Sequence, residues 1–282
     1  MAATGLGQGI VSSQMLLDQM NGDDGELTAQ RAAADREWTY GHIVVDEAQE
    51  LTAMDWRMLI RRCPSRSFTI VGDVAQTSAL AGTRRWDKTM NRLFGEGHWD
   101  LNELTINYRN PQEVSDLASR FAQNEGLYIS TVNAVRALPD SVSRHVVDDM
   151  KALLTVTSNQ AAQLANHFVS ADGTGRIAII CPDDLIKPVR EAVRHRLSSL
   201  MAPSEYQRLI DQSEWDEQIS VCGTEMVKGL EFDAVIVIEP GRIEDDAPSR
   251  LVAASDLYVA TTRPTQKLVI VRTKEDERSL NI

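Results

Sequence analysis

No stretch of this chain stays apolar for the length needed to cross a bilayer, and its opening residues carry no signal-peptide pattern. Neither a membrane span nor a secretory route is expected. Cysteine is scarce: Cys63, Cys181 and Cys222 lie far apart, are odd in number and match no metal-ligand spacing. That excludes a disulfide framework and a zinc site, leaving buried thiols in a reducing cytoplasm as the expected state. The five histidines are scattered in the same way. An excess of positive charge is also missing, with 29 Lys and Arg against 41 Asp and Glu and a net charge of −12. A protein that wraps nucleic acid shows the opposite balance. Any nucleic-acid contact must then be a local patch, or the principal partner is something else, and the acidity serves solubility equally well. Finally, no Gly-Lys pair occurs anywhere. The Gly-rich start Gly5-Leu6-Gly7-Gln8-Gly9 therefore cannot be a loop in which a lysine reaches phosphates, and residues 1–9 read as a flexible tail.

What is present is a chain of 282 residues, 43% hydrophobic, enough for a substantial core in one or two domains. Its organising stretch is Ile43-Val44-Val45-Asp46-Glu47-Ala48-Gln49, a short β-branched run that ends in two adjacent carboxylates. Such a run suits a strand buried on both faces of a parallel sheet, with its carboxyl end opening onto the crevice where such sheets bind ligands. Two carboxylates there suit nucleotide hydrolysis, one holding Mg²⁺ through its water shell and the other taking a proton from the attacking water. They suit a helix N-terminus equally well.

Along the chain, two helices are expected within residues 1–40. A capping box at Thr52 and Asp55 opens a helix through Trp56, Met58 and Leu59. Phe68–Val71 reads as a second buried strand ending in Gly72-Asp73-Val74-Ala75-Gln76, and Leu101–Ile106 as a third ending in Asn107-Tyr108-Arg109. Asn110, Pro111 and Glu113 suggest a capped helix start. Further on come helix 158–169, strand 176–181, helix 185–197, strand 219–222, the reversal Lys228-Gly229-Leu230-Glu231-Phe232-Asp233, strand 234–238, an acidic loop 239–248, helix 249–262 and strand 267–271. Residues 123–150 look less regular. Alternating strands and helices give an α/β class with mainly parallel sheets flanked by helices.

Five stretches occur in one order: Asp46-Glu47-Ala48-Gln49, Gly72-Asp73-Val74-Ala75-Gln76, Asn107-Tyr108-Arg109, Lys228-Gly229-Leu230-Glu231-Phe232 and Tyr258-Val259-Ala260-Thr261-Thr262-Arg263. Together they resemble motifs II to VI of the superfamily-one helicases of the UvrD/Rep type, over most of residues 40–272. The resemblance implies a RecA-like P-loop NTPase fold with ATP between two motor domains. Residues 1–104 would be the back part of the first and residues 105–282 the whole of the second. It implies that Asp46 holds Mg²⁺, Glu47 activates water and Gln76 senses the γ-phosphate. It further implies that Arg109 and Arg263 act as arginine fingers, that Tyr108 stacks on the base, that Glu231 accepts from the ribose and that Gly229 shapes the cofactor site. Guanidinium groups meet the charge that spreads over the transferring phosphoryl oxygens.

The departures narrow the reading. The family's phosphate loop lies upstream of the Asp-Glu strand, so this chain is expected to be the back portion of a motor, and alone to hydrolyse ATP poorly or not at all. The aromatics that stack on single-stranded bases in the family's helicases are replaced after Gln76 by Thr77-Ser78-Ala79-Leu80-Ala81-Gly82. Trp86 could substitute, but a core role suits it better. Glu225 stands where the family has a His, and Pro264 follows Arg263. No large insertion separates Arg109 from Ser220. With these, Glu225-Met-Val-Lys-Gly-Leu-Glu-Phe-Asp233 resembles the HelD-like branch, including the actinobacterial kind called HelR. Those ATPases act on RNA polymerase core and recycle it. A UvrD-type DNA translocase and a non-catalytic docking module remain the alternatives.

Overall fold

The computed structural model describes residues 39–170, 172–202, 206 and 218–276. The helices and tail expected before residue 39, and most of the polar stretch 200–218, lie outside the described residues. The α/β class with parallel sheets flanked by helices is the observed architecture.

The larger body is a five-stranded parallel sheet. Its strands are β5 (Val142–Val147), β6 (Ile177–Ile180), β7 (Ile219–Cys222), β8 (Phe232–Ile238) and β9 (Pro264–Thr273), in the order β5-β9-β8-β6-β7. Its central strands are apolar on both sides because both faces are covered. Ile177, Ile179, Ala234, Ile236, Val269 and Val271 pack under α4 (Met150–Phe168) and α5 (Asp183–Leu200). Ala178, Ile180, Val235, Val237, Leu268 and Ile270 pack against α3 (Gln112–Asn124) and α7 (Arg250–Thr262). The expected apolar face of α5 is the observed one, with Val189, Val193 and Leu197 buried.

The smaller body is the parallel pair β1 (Ile43–Val45) and β2 (Phe68–Ile70), covered by α1 (Ala53–Arg62) and α2 (Trp86–Phe94). Thr52 and Asp55 form the full capping box of α1. Burial on both faces does not hold here: Val44 is 67% exposed and Val71 48% exposed. Among the described residues, α1 and α2 cover only the face of Ile43, Val45, Phe68 and Ile70. Trp86 takes the core role, against this cluster.

A third pair, β3 (Ile106–Pro111) with β4 (Asn133–Arg136), packs on the larger body, against α3 and β9. The expected strand Leu101–Ile106 is displaced, because pairing with β4 begins at Ile106. The capped start at Asn110 is also not formed. The Asn110 side chain is buried and donates to Thr262 O at 2.8 Å and Pro264 O at 2.7 Å. Glu113 accepts from Ser141 Oγ at 3.1 Å and from Val142 N at 3.3 Å instead of closing a box. Strands β4 and β5 occupy the stretch read as irregular, and the acidic stretch after β8 contains α6 (Pro240–Asp246), with Pro240 in its first turn.

Candidate active site

The carboxyl end of β1 turns sharply. Glu47 adopts the left-handed region at φ 49°, costly for a residue with a side chain, and its N–H donates to Asp46 Oδ1 at 2.9 Å. A 3-10 turn, Ala48–Glu50, follows. It buries Gln49, whose Nε2 donates to Glu47 Oε2 at 2.6 Å and whose Oε1 accepts from Asp73 N at 3.1 Å. Asp46 and Glu47 themselves remain exposed.

At the carboxyl end of β2, Asp73 caps a second short turn, Val74–Gln76, through Ala75 N at 2.9 Å. Its other oxygen accepts from Gln76 Nε2 at 2.9 Å, and Gln76 Oε1 accepts from Arg263 Nη2 at 2.7 Å. Arg263 ends α7 and is 3% exposed. Its Nε also donates to Val259 O at 3.2 Å and its Nη1 to Leu230 O at 3.3 Å. A continuous hydrogen-bonded line therefore runs from Glu47 through Gln49, Asp73 and Gln76 to Arg263, from one body to the other.

The electrostatics follow from burial. Burial raises Asp73 above the ordinary carboxylate range, and Gln76, Ala75 N–H and Arg263 act against it. Burial, and then the nearby Arg109, lower Arg263, while Glu47, Glu231 and Asp73 favour its charge. Arginine stays protonated under such pressure. Tyr258, one turn back on α7, is also raised by burial.

Arg109 Nε lies 2.7 Å from Glu231 Oε1, so the two residues pair with each other, both about half exposed. Gly229, at φ 70°, faces Glu47: a Cβ there would sit 3.9 Å from Glu47 Oε1. Of the eight residues singled out in the sequence, Glu47, Gln76 and Arg263 share one bonded line, Gly229 adjoins it, and Arg109 and Glu231 lie close enough to act on the Arg263 charge. Asp46 sits at the strand end, and Tyr108 stands apart on β3, 70% exposed.

Sequence reasoning gave no role to Gln49, Asp73 or Ser78, although they lie in the stretches it singled out, and missed Asp256 altogether. Glu50 accepts from Ser78 N at 2.9 Å and Ala79 N at 3.0 Å, fixing the loop after Gln76. The Ser78 hydroxyl then donates to Asp256 on α7, with Lys228 Nζ 3.9 Å from the same carboxylate. This is a second bond between the two bodies. Burial raises Asp256, Ser78 and Lys228 favour its ionised form, and Glu225 and Glu50 oppose it. A carboxylate raised by folding costs stability above its folded pKa and sheds that cost as pH falls through it. Asp256→Asn keeps an acceptor for Ser78. Its urea midpoint is expected above wild type at neutral pH, the two curves converging as the solution is acidified.

Burial also raises the Cys222 thiol, to about 11, and leaves it a poor nucleophile at neutral pH. No described helix is long and apolar enough to cross a membrane. Among the described residues no three His, Cys, Asp or Glu side chains gather into a metal cage.

The sequence matches no protein-family profile and no curated protein. Among solved structures, the chain is similar to the C-terminal domain of a possible DNA helicase from Lactobacillus plantarum WCFS1, with 18% identity and a TM-score of 0.40 over 62% of this chain and 96% of that one.

Proposed function

We propose that this chain is the hydrolytic back portion of a RecA-like, ATP-driven motor of the superfamily-one helicase type. The observation that carries the reading is the line Glu47–Gln49–Asp73–Gln76–Arg263, which joins a strand-end carboxylate on one body to a buried guanidinium on the other. Such a motor needs a base for the attacking water and a fixed cation for the transferring phosphoryl group, on two bodies that can move relative to each other. Glu47 is the base and Arg263 the cation. Gln76, neutral and bonded to both Asp73 and Arg263, is placed to exchange one partner for a phosphate oxygen. The substrate is ATP.

Mg²⁺ fits the donor set. It needs no closed cage, being held by one or two carboxylates with waters and substrate phosphates, and Asp46 offers an exposed carboxylate beside the base. Bound there, Mg²⁺ supplies charge for the phosphate oxygens. Arg109 and Glu231 hold each other and are placed to part around a nucleotide, and Tyr108, exposed on β3, is the ring proposed for the base.

We further propose a cytoplasmic, HelD-like role, with RNA polymerase core as partner and DNA a weaker one. The net charge of −12 disfavours a nucleic-acid track, and Glu225 is exposed and near enough to Asp256 to act on its charge. The loop after Gln76 carries no aromatic, the Ser78 and Ala79 N–H groups are taken by Glu50, and the Ser78 hydroxyl is taken by Asp256. Trp86, the nearest aromatic, is packed in a core.

The test is ATP turnover of the complete protein with single-stranded DNA and with RNA polymerase core. Turnover indifferent to DNA, together with stable binding to polymerase, is the expected result. Strong stimulation by DNA alone would make this chain part of a translocase.

A further inference from the structure

We infer that Gln49 is the positioning residue for Glu47, an inference that rests on Glu47 acting as the base of the proposed reaction. Gln49 is 1% exposed, and its amide uses both ends, one on the Glu47 carboxylate and one on the Asp73 backbone. Only a neutral side chain that donates and accepts can do both. Leucine, similar in volume, does neither, and glutamate offers two acceptors where one donor is needed.

The surroundings are shaped for this contact. A Cβ on Gly72 would lie 2.3 Å from Gln49 Oε1 and 3.2 Å from Trp86 Cζ2, so any other residue there would push the amide away. A Cβ on Gly82 would lie 2.5 Å from the Gln49 carbonyl oxygen, and that carbonyl also accepts from Thr83 N at 2.7 Å. Gln49 is thus held at backbone and side chain alike, while Glu47, on a left-handed turn at the surface, has no comparable support of its own.

The consequence is directional. With Glu47 Oε2 held by Gln49, the other oxygen, Oε1, is the one that faces Gly229. That oxygen is free to take the proton of a water lined up for attack. Because Gln49 is anchored to Asp73, the aim of Oε1 is tied to the loop that carries Gln76 and, through it, to Arg263. A base oriented by a third group is the usual logic of activated nucleophiles, and misplacement by 1 Å costs roughly 10²-fold in rate.

The test is a double-mutant cycle in the complete protein. Gln49→Leu is expected to lower kcat for ATP by about 10²-fold with KM little changed. In a Glu47→Gln background the same change should add nothing, because no base remains to be aimed. A residue that merely holds the fold would lower turnover by the same factor in both backgrounds, and that result overturns the assignment while leaving Glu47 as base. Full activity of Glu47→Gln removes the base, and the assignment with it. If Gln49→Leu does not fold, the exchange of Glu47→Gln with Gln49→Glu restores the bond with donor and acceptor reversed. Its melting temperature should recover toward wild type relative to Gln49→Glu alone. Absence of recovery means that the bond does not form.

Discussion

Replacing Glu47 by glutamine in the complete protein is expected to abolish most ATP turnover while leaving nucleotide affinity and fold in place. The carboxylate sits at the end of β1, exposed, with one oxygen engaged by Gln49 at 2.6 Å and the other facing Gly229. Glutamine has the same shape, can occupy the same left-handed backbone and can present its carbonyl to Gln49. What it cannot do is accept a proton from water. General-base catalysis is typically worth about 10²–10⁴-fold, and a loss in that range in kcat, with KM for ATP steady, is the expected signature. The substitution removes no buried contact, so the melting temperature should stay close to wild type. Steady-state turnover and a thermal melt on the same preparation check both halves. Turnover within a factor of two of wild type would move the base elsewhere.

Much of this site was legible because its residues are local. A β-branched run ending in two acids needs no neighbour to be seen, and the periodicity of Val189, Val193 and Leu197 declares the buried face of α5 by itself. What was missed depends on distant partners. The bond from Asp73 N to Gln49 spans 24 positions and that between Ser78 and Asp256 spans 178, so no local pattern announces either. Strand β5, Val142-Ser-Arg-His-Val-Val147, is an edge strand with polar residues inside it, and it becomes a strand only by pairing with the buried β9. Asn110 looked like a helix cap because cap residues and buried amides share a chemistry. The carbonyls of Thr262 and Pro264, 152 and 154 positions away, decided between the two. Val44 illustrates the converse: an apolar run suggested burial on both sides, and the described elements cover only one.

Arg263→Ala is expected to give the largest loss of all, and to separate into two measurable effects. The first is on rate. A cation fixed against the phosphoryl oxygens contributes about 10³–10⁵-fold in motors of this chemistry, and alanine removes it altogether. The second is on the fold. Arg263 is buried, donates to two carbonyl oxygens as well as to Gln76, and ends the helix that carries Asp256. Its loss leaves Leu230 O and Gln76 Oε1 without their donor; both are only part-buried, so each costs less than the roughly 1–3 kcal/mol of a fully buried group left unpaired. A lower urea midpoint is therefore expected alongside the lost turnover. Arg263→Lys separates the two, because an ammonium is a point charge that cannot reproduce the planar fork spanning Gln76 and Leu230. It should recover part of the stability and little of the rate. Because the arginine also closes the line from Glu47, the combined loss in Glu47→Gln with Arg263→Ala should fall short of the product of the single losses. Multiplicative losses would mean that the base and the cation act independently, and that the bonded line between them is structural.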